Sequence, residues 1–144
     1  VKDWSNKSEV KDYLYKIAKK EAFDKTGLIY GMGHAVYTIS DPRALLLRNK
    51  AEVLAKEKNC IEEFNLYRMI EELAPEILMG VHHSVKNICA KVKLYSGFVY
   101  TMLNIPREIY TPIFAISRIA GWSAHRIEEA VAGGRIYRTA YKNV

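Results

Sequence analysis

The sequence predicts an all-α fold, and three observations carry that reading. Apolar residues recur at helical spacing along most of the chain. Capping residues, prolines and glycines punctuate those segments at places where helices start and stop. No segment alternates with a period of two between hairpin turns, so strands are not expected.

The elements follow in order. Asn6 and Glu9 have capping-box spacing, and Val10, Tyr13, Leu14, Ile17 and Ala18 then form one helical face. Gly27 follows and opens a loop that carries "GMGHAVY", Gly31 to Tyr37. Asp41-Pro42 is a cap with proline at the first helical position, where its missing N–H costs nothing. The helix it starts places Leu47, Ala51 and Leu54 on one side. A third helix is expected from about Ile61 to Ala74, with Leu66, Ile70 and Leu73 inward, until Pro75 disturbs it. "GVHHSVKNICAK", Gly80 to Lys91, shows no helical period and reads as a loop. "LYSGFVYTML" is a short apolar helix stopped at Asn104-Ile105-Pro106, and Thr111-Pro112 starts a last long helix ending near Gly133-Gly134.

Length and composition bound the function. A chain of 144 residues suits one domain with an appended segment. Its hydrophobic content of 49% and charged content of 26% argue against disorder. No apolar run reaches the ~18–20 residues of a membrane span, and the N-terminal residues show no signal-peptide core. Twenty-two Lys and Arg against 16 Asp and Glu give a net charge of +6, which favours anionic partners. The charge is dispersed, with Lys19-Lys20 the longest basic run, so a small anionic ligand is preferred over nucleic acid. Cys60 and Cys89 fit neither a metal site nor a disulfide framework and read as reduced thiols of a cytoplasmic protein. His82, His83 and His125 lack metal-ligand companions, so no metal is expected.

Three residues remain as chemical candidates. His34 stands on the loop directly behind the Gly31-Met32-Gly33 step, where glycines allow close approach of a ligand to the backbone. From spacing alone, a histidine that serves only the loop is the simpler reading. Arg43 lies in the first turn of its helix, where free N–H groups and the dipole already favour an anion. Its guanidinium could grip a carboxylate in two-point fashion or lie solvated on the surface, and position does not separate the two. Arg118 interrupts "IYTPIFAISRIAGWSA", a nearly uncharged helix, and there a ligand or an intersubunit anion is favoured as its partner.

These blocks resemble the citrate synthase family. "GLIYGMGHAVYTISDPRALLL", "LYSGFVY" and "TPIFAISRIAGWSAHRIEE" are similar to it in order and approximate distance, over essentially the whole chain. The resemblance implies an all-α, dimeric enzyme that joins acetyl-CoA to oxaloacetate, giving citrate and CoA, with no cofactor beyond that substrate. It implies a small, CoA-binding domain over residues 1–106, and over 107–144 terminal helices that return to the large domain. The histidine that hydrogen-bonds the acetyl-CoA carbonyl would belong to the remainder of the large domain. By resemblance His34 polarises the oxaloacetate ketone, and Arg43, Arg118 and Arg138 hold carboxylates, Arg138 across the subunit boundary. The backbone of Gly31, Met32 and Gly33 would line the CoA adenine. The family's base is an aspartate in a block resembling "NVDLYSG", whereas Lys93 stands at that position here and Lys91 replaces the asparagine. An ammonium with a reference pKa of ~10.4 is already protonated at neutral pH and abstracts nothing. Thr38 and Thr139 are milder departures, at a CoA-phosphate arginine and at a proline. Two classes of function follow: part of a condensing enzyme whose base is disabled or altered, with propionyl-CoA as a variant donor, or a non-catalytic module for ligand binding or dimerisation.

Overall fold

The computed structural model describes residues 1–34, 37, 39–83 and 87–133. Five α-helices are present among them: α1 (Lys7–Ala18), α2 (Pro42–Glu57), α3 (Ile61–His82), α4 (Val92–Met102) and α5 (Tyr110–Ala132). A single 3₁₀ turn, Arg107–Ile109, leads into α5, and an isolated antiparallel bridge pairs Met32 with Ala90. The all-α expectation holds. The chain divides into two compact units, Val1–Ile105 and Pro106–Val144.

In the first unit, α1 packs on α3, and α2, α3 and α4 pack on one another. Asn6 caps α1 by accepting from the N–H groups of Ser8 and Glu9. Glu9 does not close the box; its carboxylate reaches further back and accepts from Lys2 and Asp3 N–H. Val10, Leu14 and Ala18 are buried as expected, while Tyr13 at the edge of the stripe is exposed. The middle of the unit is aromatic. Phe64 of α3 meets Tyr95 and Phe98 of α4 with ring centroids 6.1 and 5.9 Å apart, and Tyr67 meets Phe98 at 5.3 Å.

The structure sharpens one expectation and corrects two. On α2 the buried residues are Ala44, Ala51 and Ala55, while Leu47 and Leu54 are only partly covered. A face of alanines lets two helices approach closely, and the larger leucines are displaced to the rim of that contact. Second, α3 does not stop at Pro75 but continues to His82. The proline deprives the Glu71 carbonyl of its donor, yet Leu73, Ala74, Ile77 and Leu78 are buried on both sides of it. Tertiary burial therefore outweighs the local break. Third, Gly80–His82 belong to that helix rather than to a loop, and His83 ends it in the left-handed region at φ 49°. Replacing Pro75 with Ala should restore the missing bond and raise unfolding stability by up to about 3 kcal/mol. Chemical denaturation would show this as a higher midpoint, and a lower one would mean that the proline fits a bend the core requires.

The second unit is described by itself. Thr111 and Pro112 lie in the first turn of α5, one residue inside its observed start, and Gly133 caps its end at φ 58°. Ile116, Ile119, Trp122, Ile127 and Val131 are exposed along it. Among the described residues no helix is long and apolar enough to cross a membrane.

Candidate functional site

The loop behind Gly27 is held down by backbone bonds to the segment that precedes α4. Gly33 N–H donates to Cys89 O at 2.8 Å, Lys91 N–H donates to Gly31 O at 2.7 Å, and the Met32–Ala90 bridge lies between them. Gly31 is required here twice over. Its φ is +89°, and a Cβ would stand 3.0 Å from the Leu94 Cα in the first turn of α4. The glycine thus seats the loop against α4, so the Gly31–His34 segment and the position-93 turn share one corner of the fold. The same bonds use part of the Gly31–Gly33 backbone that the sequence offers to a ligand, and the Met32 side chain is buried.

His34 is mostly covered, its side chain 18% exposed, and its ring lies 4.9 Å from that of Tyr37. Tyr37 N–H donates to His34 Nδ1 at 3.1 Å. Nε2 faces Asp41 Oδ2 at 3.6 Å. Asp41 is the cap of α2 and is 1% exposed. Its Oδ1 accepts from Arg43 N–H and from Arg43 Nε, each at 3.0 Å, and its Oδ2 accepts from Arg43 Nη2 at 2.9 Å. Sequence reasoning found Asp41 as a cap and Arg43 as an anion grip, but not that the two form a fork-to-fork pair. The signal was available in the two-residue spacing across the cap.

The pair is electrostatically matched. Hydrogen bonding from the Arg43 guanidinium holds the Asp41 carboxyl below the ordinary carboxylate range, against an opposing push from burial. Reciprocally, Asp41 raises the proton affinity of Arg43. Burial, and then the nearby Asp41 charge, push the Cys89 thiol up, which disfavours its thiolate. Because the folded Asp41 carboxyl titrates below its unfolded value of ~3.9, its stabilisation is complete above that pH and is lost as pH falls through the lower folded value. Denaturant unfolding of the native chain should therefore weaken more steeply below about pH 4 than that of Asp41→Asn. Parallel pH profiles would show that Asp41 contributes nothing to acid sensitivity.

Lys93 is exposed in the first turn of α4, which has no acidic residue and no side-chain cap. Ser96 hydroxyl donates to the Lys93 carbonyl at 3.4 Å. Arg118 lies within α5, among mostly apolar residues. It is exposed on α5, its Nη1 donates to Phe114 O and Ser117 Oγ, and its guanidinium lies 4.6 Å from the Phe114 ring centroid. Arg138, with Thr38 and Thr139, lies outside the described residues. Among the described residues no group of three His, Cys, Asp or Glu could hold a metal.

A cavity of about 130 Å³ lies behind Asp41, lined by Ser40, Asp41, Pro75, Ile88 and Cys89 among others. That volume suits a few waters, not a nucleotide-bearing substrate. A more open groove of about 590 Å³ lies between Lys2–Ser5 and α3, with no residue of the His34 loop in its lining.

A family model described as citrate synthase, C-terminal domain, matches residues 1–140. The chain belongs to the citrate synthase family. A protein named citrate synthase from Synechocystis sp. is 39% identical over 110 residues, covering 76% of this chain and 26% of the relative. Citrate synthase from Acidithiobacillus ferridurans is 36% identical over 143 residues, covering 96% of this chain and 33% of its own length. A protein named 2-methylcitrate synthase from Shewanella oneidensis is 32% identical over 139 residues, again 96% of this chain and 33% of the relative. The chain therefore spans between about a quarter and a third of the length of these citrate synthase relatives.

Proposed function

We propose that the chain is the C-terminal part of a citrate synthase-like acyltransferase. The reaction it serves is condensation of acetyl-CoA with oxaloacetate, followed by hydrolysis of the thioester by water, to citrate and CoA, and Lys93 leaves these 144 residues unable to carry it out. The observation that carries the reading is the shared corner: a histidine loop seated by Gly31 on the first turn of α4, beside a cap that aims an arginine. In this reading His34 polarises the ketone oxygen as negative charge builds there, an electrostatic role suited to a rigid loop. Arg43, Arg118 and Arg138 hold the carboxylates, and the Gly31-Met32-Gly33 backbone lines the adenine of CoA. The new carbon–carbon bond joins the acetyl methyl carbon, once deprotonated, to the ketone carbon. Position 93 should supply the base for that deprotonation and instead supplies a cation.

Two specific observations favour further readings. The similarity to a protein named 2-methylcitrate synthase favours propionyl-CoA as the donor. The exposed Lys93 favours a module that holds an anionic ligand without transforming it. We place the chain in the cytoplasm and read the exposed apolar residues of α5 as the surface that meets a second subunit.

Calorimetric titration of CoA at low salt, into the chain and into Lys93→Asp, tests the anion-holding role. Weaker binding by the variant is expected. Equal affinities would make Lys93 a solvated bystander, and no binding by either form would remove CoA from the ligands of this chain.

A further inference from the structure

We propose that Asp41 is the positioning residue of this site: one buried carboxylate that fixes both the proton on His34 and the orientation of Arg43. The inference rests on the reading above only for the identity of the ligand.

Tyr37 N–H donates to His34 Nδ1, so Nδ1 is an acceptor and the neutral ring carries its proton on Nε2. That nitrogen is the one facing Asp41 Oδ2, and an anion 3.6 Å away favours the proton on the near side of the ring. At that distance the contact is electrostatic rather than a hydrogen bond. Oδ2 is simultaneously the acceptor for Arg43 Nη2, and Oδ1 takes Nε, so the inner edge of the guanidinium is fully engaged. The Arg43 side chain is nevertheless 61% exposed. Its outer edge is thus presented to solvent in one orientation, where an untethered arginine would sweep through many.

Asp41 itself does not move aside easily. Its side chain is wholly covered, and it also caps α2 through Arg43 N–H. A ligand carboxylate therefore adds to the outer edge of Arg43 and does not replace Asp41 on the inner one. The histidine and the arginine expected to meet a keto acid are thus both positioned by one carboxylate, Arg43 through both oxygens and His34 through Oδ2.

Asp41→Asn separates this role from capping, because Asn caps a helix about as well as Asp and the variant loses only the charge and the second acceptor. In the native chain, proton–nitrogen correlation spectra should show His34 protonated on Nε2 and an Arg43 Nε–H protected from exchange with water. In Asp41→Asn that protection should disappear, and oxaloacetate should bind about tenfold or more weakly, the scale of one charge-assisted hydrogen bond. Unchanged Arg43 protection together with unchanged oxaloacetate affinity would overturn the proposal. So would a native His34 protonated on Nδ1, a result that stands even where Asp41→Asn does not fold. If the native chain binds no oxaloacetate, the keto-acid reading fails for this chain, while the spectra still decide the role of Asp41.

Discussion

Mixed with acetyl-CoA and oxaloacetate, the 144-residue chain is expected to release CoA no faster than the uncatalysed background. A positioned general base is typically worth about 10²–10⁴ in rate, and on the function proposed above the place of that base is taken by Lys93, on an exposed helical turn. The loss is not repaired by a neighbour. Asp41, the buried carboxylate of the corner, is tied to Arg43 and held below the ordinary range, which makes it a poorer base than a free aspartate. The relatives are about three times as long as these 144 residues, and groups that lie elsewhere in such a protein are not supplied here. A thiol-reactive dye reads CoA directly. Turnover near that of an ordinary enzyme would refute the assignment of Lys93 to the base's position.

Phe64→Ala should be the most damaging single change to the first unit, costing about 3–5 kcal/mol. Phe64 is 1% exposed and touches both aromatic rings that α4 contributes to the core. Truncation removes its transfer energy and leaves a void that two stiff rings fill poorly. Because α4 also seats the His34 loop through Gly31, the loop should loosen with it. Denaturant titration gives the stability change. A cost below about 1 kcal/mol would show that Tyr95 and Phe98 collapse into the space.

Much of this was legible in the sequence where a local rule governs. Asn6 and Asp41-Pro42 announced two helix starts, since a cap needs only its own side chain and the next three N–H groups. Gly31 and Gly33 marked a loop of close approach, and the reason at Gly31 is now Leu94. What was not legible depends on partners distant in sequence. The run past Pro75 is helical because of burial against other elements, which no local signal reports. The alanine face of α2 was hidden for the same reason: alanine is too small to dominate a periodicity, yet it is what close packing selects. Within the candidate site, His34 and Arg43 were singled out, but Asp41 was read for its cap alone. A carboxylate that joins them becomes visible only once the loop is folded back onto the helix start.

One more tie crosses the first unit. Tyr95 of α4, fully buried, donates its hydroxyl to Glu71 of α3, and the same carboxylate oxygen accepts from Arg48 of α2 at 3.3 Å. Burial, reinforced by the hydrogen bond to Glu71 and by its charge, pushes the Tyr95 phenol far above its ordinary range and so favours the protonated, donating form. Three helices thus meet at one carboxylate, and lifting α3 away would leave the buried Tyr95 hydroxyl without its acceptor and Arg48 without its counter-charge. Such a knot makes opening cooperative. The amide hydrogens of α2, α3 and α4 nearest Glu71 should exchange with solvent at one common, global rate, while those of the frayed helix ends exchange earlier.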